Sequence, residues 1–315
     1  MKYGFGVDLG GTTVKIAYFD QVGTLLHKWE IPTRTENNGE YILSDIAAAI
    51  NGYLEENRIR REALLGIGIG VPGPVDRNGI VNECENLGWG VFHVADALTA
   101  LTGLPVKAGN DATMAALGEY WKGSGRSYRD VALITLGTGV GSGIIIGGRP
   151  VYGHTGAAGE VGHMSINPED PIACNCGKHG CAEQYSSATG IVRTARQYLS
   201  RDARDSVLRQ SEILTCKDIF DAAAAGDGVA ADILEQVYND LAQLVANVCC
   251  VLDPEAIIIG GGVSKAGPVL LNGIRAHLHK HIFHACAHVQ LTLAALGNDA
   301  GAYGAFKLIL DEINR

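Results

Sequence analysis

The chain opens with three short, largely apolar runs, YGFGVDLGG, TTVKIAYFD and TLLHKWEIP, divided by glycine-bearing turns. That spacing predicts an antiparallel meander of three strands. Over residues 43 to 57 the period changes, and Leu43, Ile46, Ile50 and Leu54 fall on one face of a helix. LLGIGIGV then reads as a short buried strand ending at Pro72, and DATMAALGEYW, residues 111 to 121, as a second helix. At residue 131 the first pattern returns. VALITLGTGVGSGIIIGGRPV is again strand, glycine turn, strand, glycine turn, strand, with Leu136-Gly137-Thr138-Gly139 in the place of Leu9-Gly10-Gly11-Thr12. One repeat at so long a spacing is not a solenoid. It predicts two related halves, each a meander with helices, and a natural cleft between them. Ile233, Val237, Leu241, Leu244, Val248 and Leu252 make one apolar stripe over 229 to 252, halted by Asp253-Pro254. EAIIIGGGV follows as a buried strand meeting three glycines, and residues 300 to 313 read as a last helix.

Composition narrows the class. With 315 residues, 47% apolar and 19% charged, the chain suits a globular protein of one large or two smaller domains, able to bury a core without a staple. The formal net charge is −9 and no run of Lys or Arg forms a phosphate-tracking stripe, so nucleic acid is not an expected partner. The N-terminal MKYGFGVDLGG does not read as a signal peptide, and no segment has the roughly 18 uncharged apolar residues needed to span a bilayer. The expected location is cytoplasmic, with no membrane partner. The 8 cysteines are then poor disulfide candidates. Cys249 and Cys250, adjacent on an apolar helix, are expected to be buried.

Three glycine loops have the chemistry to hold phosphate or nucleotide. They are Asp8-Leu9-Gly10-Gly11-Thr12-Thr13, Gly137-Thr138-Gly139-Val140-Gly141 and Gly260-Gly261-Gly262. Glycine lets backbone N–H groups approach an anion, threonine adds hydroxyl donors, and an Asp at a strand end suits Mg²⁺ held through water. For any one loop alone, a plain hairpin turn explains the glycines as well. No G-x-x-x-x-G-K-[ST] is present; GIGVPG at 68 to 73 matches G-x-G-x-x-G in form. Pro72 interrupts it and GPVDRNG follows instead of a helix, so it reads as a decoy.

CNCGKHGCAEQ, residues 174 to 184, places three cysteines close together with Gly177 and Gly180 to turn the chain. Thiolates at this density suit Zn²⁺, which takes four N or S ligands in a tetrahedron. His163 in GEVGHM is the nearest histidine upstream. Cys174, Cys176, Cys181 and His163 would close the shell and leave no open position, so the metal would be structural. It would hold Glu183, two residues beyond a ligand, as a clamp holds a substrate-binding carboxylate.

Taken in order, DLGGTT, GVPGPVD, NDA, LGTGVGSG, GEVGH, CNCGKHGCAE and IIGGGV resemble the ROK family (repressors, open reading frames, kinases), from Asp8 to the C-terminal helix. The likeness is greatest to its bacterial glucokinases. The resemblance implies an α/β, actin-like ATPase (ribonuclease H-like) fold of two lobes. Each lobe would carry a mixed sheet with flanking helices. The expected division is 1–111 plus 300–315 as the smaller lobe and 112–299 as the larger. It implies that Asp8, Gly10, Gly11, Thr12 and Thr13 form the first phosphate and Mg²⁺ loop, Thr138 and Gly139 the second phosphate loop, and Gly261, Gly262 and Val263 the adenosine loop. Asn110, Asp111, Glu160, His163 and Glu183 are similar to the sugar-hydroxyl ligands, with Asn86 a further candidate, and Asp111 resembles the catalytic base. His163 would serve metal and sugar through its two ring nitrogens. ATP, Mg²⁺ and a structural Zn²⁺ are the implied cofactors, a sugar and a nucleotide the small-molecule partners, and a homodimer the family-based expectation. Many members read NDAN where this chain has Thr113.

Carboxylates and an amide are apt partners for a ring of hydroxyls, and phosphoryl transfer asks mainly for positioning and charge stabilisation. The implied activity is ATP-dependent phosphorylation of a hexose 6-hydroxyl, glucose first. The alternatives are a kinase of N-acetylmannosamine, N-acetylglucosamine, fructose or allose, polyphosphate as donor, or a sugar-responsive regulator. The last would need an N-terminal DNA-binding helix-turn-helix, for which a first strand at residue 3 leaves no expected room.

Overall fold

The computed structural model describes residues 1–313. Its strands are β1 (Tyr3–Leu9), β2 (Thr13–Asp20), β3 (Leu25–Pro32), β4 (Leu64–Val71), β5 (Ile80–Val81), β6 (Phe92–His93), β7 (Val106–Asn110), β8 (Val131–Leu136), β9 (Val140–Ile146), β10 (Arg149–Pro150), β11 (Ala256–Gly260) and β12 (Gln290–Leu293). One five-stranded sheet runs β3-β2-β1-β4-β7 and the other β10-β9-β8-β11-β12, with β5 and β6 as a separate ribbon. The repeat visible in the sequence is thus a repeat of topology: three meander strands in reverse order, then two parallel neighbours. In the first sheet β1 pairs antiparallel with β2 and parallel with β4, which is parallel to β7. In the second, β11 lies parallel to both β8 and β12.

By backbone contacts the chain divides into two compact units, residues 1–129 with 143–159 and 295–315, and residues 130–142 with 160–294. The boundary expected at residue 111 falls inside the first unit, because the helix Asp111–Lys122 packs along the helix Ala300–Ile313.

The first unit follows from alternation along β1 and β4. Phe5, Val7, Leu9, Ile67, Ile69 and Val71 enter one core with Ile46 and Ile50 of the helix Ile42–Glu56 and Leu98 of the helix Val94–Thr102. The opposite face is lined with glycine. A Cβ on Gly6 would lie 2.0 Å from the Ala302 carbonyl oxygen, and one on Gly68 1.7 Å from that of Ala305. The last helix therefore lies directly on the sheet backbone, with Phe306 stacked on Phe19 at a centroid distance of 4.9 Å. This explains the decoy GIGVPG: Gly68 is there for helix packing.

In the second unit the helix Gly228–Leu252 buries Ile233, Val237, Leu241, Leu244 and Val248. Asp227 caps it, accepting from the amides of Val229 at 2.9 Å and Ala230 at 3.0 Å. Asp253 ends it in the left-handed region with φ 45° before Pro254. Cys249 is buried on this helix but Cys250 is exposed, contrary to the expectation for the pair. Consecutive helical residues point about 100° apart, so one narrow apolar stripe cannot take both.

Candidate active site

In the first unit, the turn between β1 and β2 is closed by Gly10 N–H donating to the Thr13 carbonyl at 3.0 Å. From β3's end, the Thr33 hydroxyl donates to the Gly10 carbonyl at 2.7 Å and Thr33 N–H to the Thr12 carbonyl at 3.0 Å. Asp8 and Lys15 are cross-strand partners, with Lys15 Nζ 3.5 Å from Asp8 Oδ2. Burial raises the Asp8 carboxyl above its ordinary value, and the Lys15 ammonium pulls it back down. Gly301 backs this carboxylate, since a Cβ there would lie 2.7 Å from Asp8 Cγ. Lys15, Thr33 and Gly301 were not singled out in the sequence. Of the three, Lys15 was readable, because hairpin register around the glycine turn sets it opposite Asp8.

Asn110 ends β7 and caps the helix Asp111–Lys122, its Oδ1 accepting from Thr113 N–H at 2.9 Å. Its Nδ2 donates to the Gly73 carbonyl at 3.0 Å and to Asp111 Oδ1 at 2.9 Å. Asp111 Oδ1 also accepts from Ala112 N–H at 2.7 Å. Capping and site-building are one arrangement here: the cap fixes Asn110, and Asn110 orients the Asp111 carboxylate. Thr113 is buried, so the departure from NDAN sits at the helix start and contributes to its packing. Gly73, with φ 85°, packs on Glu83 and Cys84, and Asn86, itself exposed, follows in the turn Glu85–Leu87.

In the second unit, Cys174, Cys176, Cys181 and His163 offer ligand atoms that all lie within 4.8 Å of one another. Cys176 and Cys181 sulfurs are 3.6 Å apart, and Cys174 Sγ is 3.8 Å from His163 Nδ1. A tetrahedron with metal–sulfur bonds of about 2.3 Å has edges of about 3.8 Å, so the donor set fits zinc in number, type and spacing. Burial pushes the Cys181 thiol up to about 12, so a metal must displace its proton to bind. His163 turns Nδ1 to the cysteines and Nε2 toward Glu160, 4.0 Å from Oε2. The exposed Glu160 and the half-buried His163 are thereby brought together.

Glu183 opens the short helix Glu183–Ser186, and its Oε2 accepts from Val140 N–H at 2.8 Å. Val140 directly follows the glycine turn Gly137-Thr138-Gly139. Gly261, with φ 81°, packs against Leu136 at the head of that turn; a Cβ there would lie 2.5 Å from the Leu136 carbonyl oxygen. The second and third glycine loops are therefore neighbours.

The ROK family description matches residues 4–312. The chain is 41% identical to a glucokinase of Halalkalibacterium halodurans, covering 98% of this chain and 95% of that one. It is 37% identical to a glucokinase of Thermotoga maritima, covering 98% and 97%. Among solved structures, it is similar to a ROK family glucokinase from Streptomyces griseus in complex with glucose and AMPPNP, with TM-score 0.78 and 35% identity over 97% of this chain and 98% of that one. A ROK match along nearly its whole length, on a fold of two mixed sheets with flanking helices, shows that the chain is a member of the ROK family with the actin-like ATPase fold.

Proposed function

We propose that this protein transfers the γ-phosphoryl group of ATP to the 6-hydroxyl of a hexose, with glucose as the preferred substrate. The observation that carries the reading is the Asn110–Asp111 pair at the junction of β7 and its helix. There the amide holds the carboxylate by a 2.9 Å hydrogen bond. The similarity to glucokinases, one of them in complex with glucose and AMPPNP, supports the choice of sugar and donor.

Asp111 orients the primary hydroxyl and takes its proton as it attacks, a role worth roughly 10²–10⁴-fold in rate. Its place at a helix N-terminus favours the ionised, proton-accepting form. Asn110, Glu160, His163 and Glu183 bind the remaining hydroxyls, with Asn86 a further contact; a site built for hydroxyls rejects sugars that lack them. The Asp8–Thr13 turn and the Thr138–Gly139 turn receive the phosphates through backbone N–H groups, and Gly261, Gly262 and Val263 flank the adenosine. Mg²⁺, when bound, neutralises charge on the transferring phosphoryl group; Asp8 is the residue that would hold it, through water. Zn²⁺, when bound by His163, Cys174, Cys176 and Cys181, fixes the loop that carries Glu183.

The test is a coupled assay of ADP release with ATP and Mg²⁺ over hexoses and N-acetylhexosamines. A strong preference for glucose is expected. Preference for an N-acetylhexosamine would move the substrate and keep the base; no turnover on any sugar would overturn the proposal. Elemental analysis after exhaustive dialysis tests the metal, and less than about a tenth of an equivalent of zinc in active enzyme would defeat that part.

A further inference from the structure

The turn Gly137-Thr138-Gly139 is tied at three consecutive points to the segment that leaves the cysteine loop. The Gly137 carbonyl accepts from Ala188 N–H at 2.8 Å. The Thr138 carbonyl accepts from the Thr189 hydroxyl at 2.7 Å. Val140 N–H donates to Glu183 Oε2 at 2.8 Å. Gly139 makes room for that carboxylate, because a Cβ there would lie 2.3 Å from Oε2. The segment is itself firmly held. Cys181 is wholly buried, Ala182 N–H donates to the Met164 carbonyl at 2.8 Å, and the Ser187 hydroxyl donates to the Glu183 carbonyl at 2.7 Å.

These bonds set the polarity of the turn. In a trans peptide the C=O and N–H of one plane point in opposite directions. The carbonyls of Gly137 and Thr138 point at residues 188 and 189, so the N–H groups of Thr138 and Gly139 point away from them. Two successive N–H groups aimed outward make a concave anion receiver. The third tie, at Val140, sets where the turn re-enters β9. Such a receiver loses its value if the turn rotates, since the same peptides would then offer carbonyls to the phosphate.

We infer that Glu183 is a positioning residue for the phosphate-binding turn: its carboxylate, carried on the cysteine loop, holds Val140 so that the turn keeps its N–H groups toward the nucleotide. The inference rests on the reading of Gly137–Gly139 as a phosphate loop. It gives Glu183 a role on the donor side of the reaction, distinct from hydroxyl binding, and makes the cysteine loop a support for nucleotide binding.

The experiment is calorimetric titration of the metal-loaded enzyme with a non-hydrolysable ATP analogue and Mg²⁺, without sugar, for wild type, Glu183→Ala, Glu183→Gln and Thr189→Val. Losing a charge-assisted hydrogen bond that orients the turn should weaken nucleotide binding about tenfold in Glu183→Ala. Glu183→Gln keeps a carbonyl acceptor for Val140 N–H and should stay within about threefold of wild type, while Thr189→Val should lose about threefold. Unchanged nucleotide affinity in Glu183→Ala, with only sugar affinity reduced, overturns the inference and leaves Glu183 a hydroxyl ligand. Zinc content and unfolding temperature are measured for each variant. If Glu183→Ala loses metal or fold, the Thr189→Val result decides, and wild-type affinity there overturns the inference. A wild type that binds no nucleotide overturns the phosphate-loop reading and the inference with it.

Discussion

The two glycine turns arise from the same strand pattern in the same sheet topology, yet they are held in different ways. The turn after β1 is stabilised by its own meander. Thr13 is only three residues from Gly10, Thr33 lies at the end of β3, and Asp8 faces Lys15 across the hairpin. The turn after β8 has its own bond from Gly137 N–H to the Gly139 carbonyl at 2.9 Å, but its other ties come from Glu183, Ala188 and Thr189, which follow the cysteine loop. The repeat therefore supplies the turn, and its surroundings decide what the turn depends on. A turn braced by a regular sheet needs nothing further. A turn braced by an irregular loop needs that loop fixed, and four metal-ligand side chains within 4.8 Å are the means at hand.

The largest effect is expected from removing the zinc proposed for the cysteine loop. Chelation should lower hydrogen-exchange protection of the Val140 amide by more than about tenfold and leave the Gly10 amide within about threefold. Equal loss at both turns would mean that the cysteine loop supports the whole protein and not one turn.

Asp240 separates the stability of the second unit from the geometry of its turn. Burial raises its carboxyl to about 6, and Oδ2 has no hydrogen-bond partner. The folded state thus prefers the protonated acid. Its stabilising effect is full below the unfolded value near 3.8 and is lost as pH rises through about 6. Asp240→Asn should be more stable than wild type at pH 7, by at most roughly 3 kcal/mol, and equal to it near pH 4. Denaturant unfolding across that range checks this, and nucleotide affinity should not move. A wild-type pH profile in the variant would exclude Asp240 as the source.

Smaller effects should come from a matched pair of glycine substitutions. Gly301→Ala sets a methyl 2.7 Å from the Asp8 carboxylate, and Gly139→Ala one 2.3 Å from that of Glu183. Each should cost about 1–3 kcal/mol in stability as its neighbour is displaced. Gly301→Ala should weaken Mg²⁺-dependent nucleotide binding, whereas Gly139→Ala should weaken it with or without Mg²⁺. Identical Mg²⁺ dependence in the two variants would erase the distinction between the turns.

Much of this was legible in the chain. Strand and helix periods marked both meanders and the long helix, and CNCGKHGCAE with His163 marked the four side chains that the structure gathers within 4.8 Å. Local pattern carries such features because the ligands lie close in sequence or follow one element. What it did not carry was contact across distance. Thr189 bonds to Thr138, 51 residues away, through one hydroxyl, and no period or spacing marks it. The glycines inside β1 and β4 stand in segments that read only as strands, and their purpose is plain once the last helix is seen lying on them. Asn110 shows a different limit: its place before the helix fits a cap, but only the structure shows the same side chain also donating to the Asp111 carboxylate.

Asp111 is proposed as the base of a glucose kinase. Its most direct test compares wild type and Asp111→Asn for glucose-dependent ADP release, with glucose binding measured separately. Turnover on glucose by the wild type is expected, with a loss of roughly 10²–10⁴-fold in the variant and glucose affinity largely kept. Full activity in Asp111→Asn would contradict it.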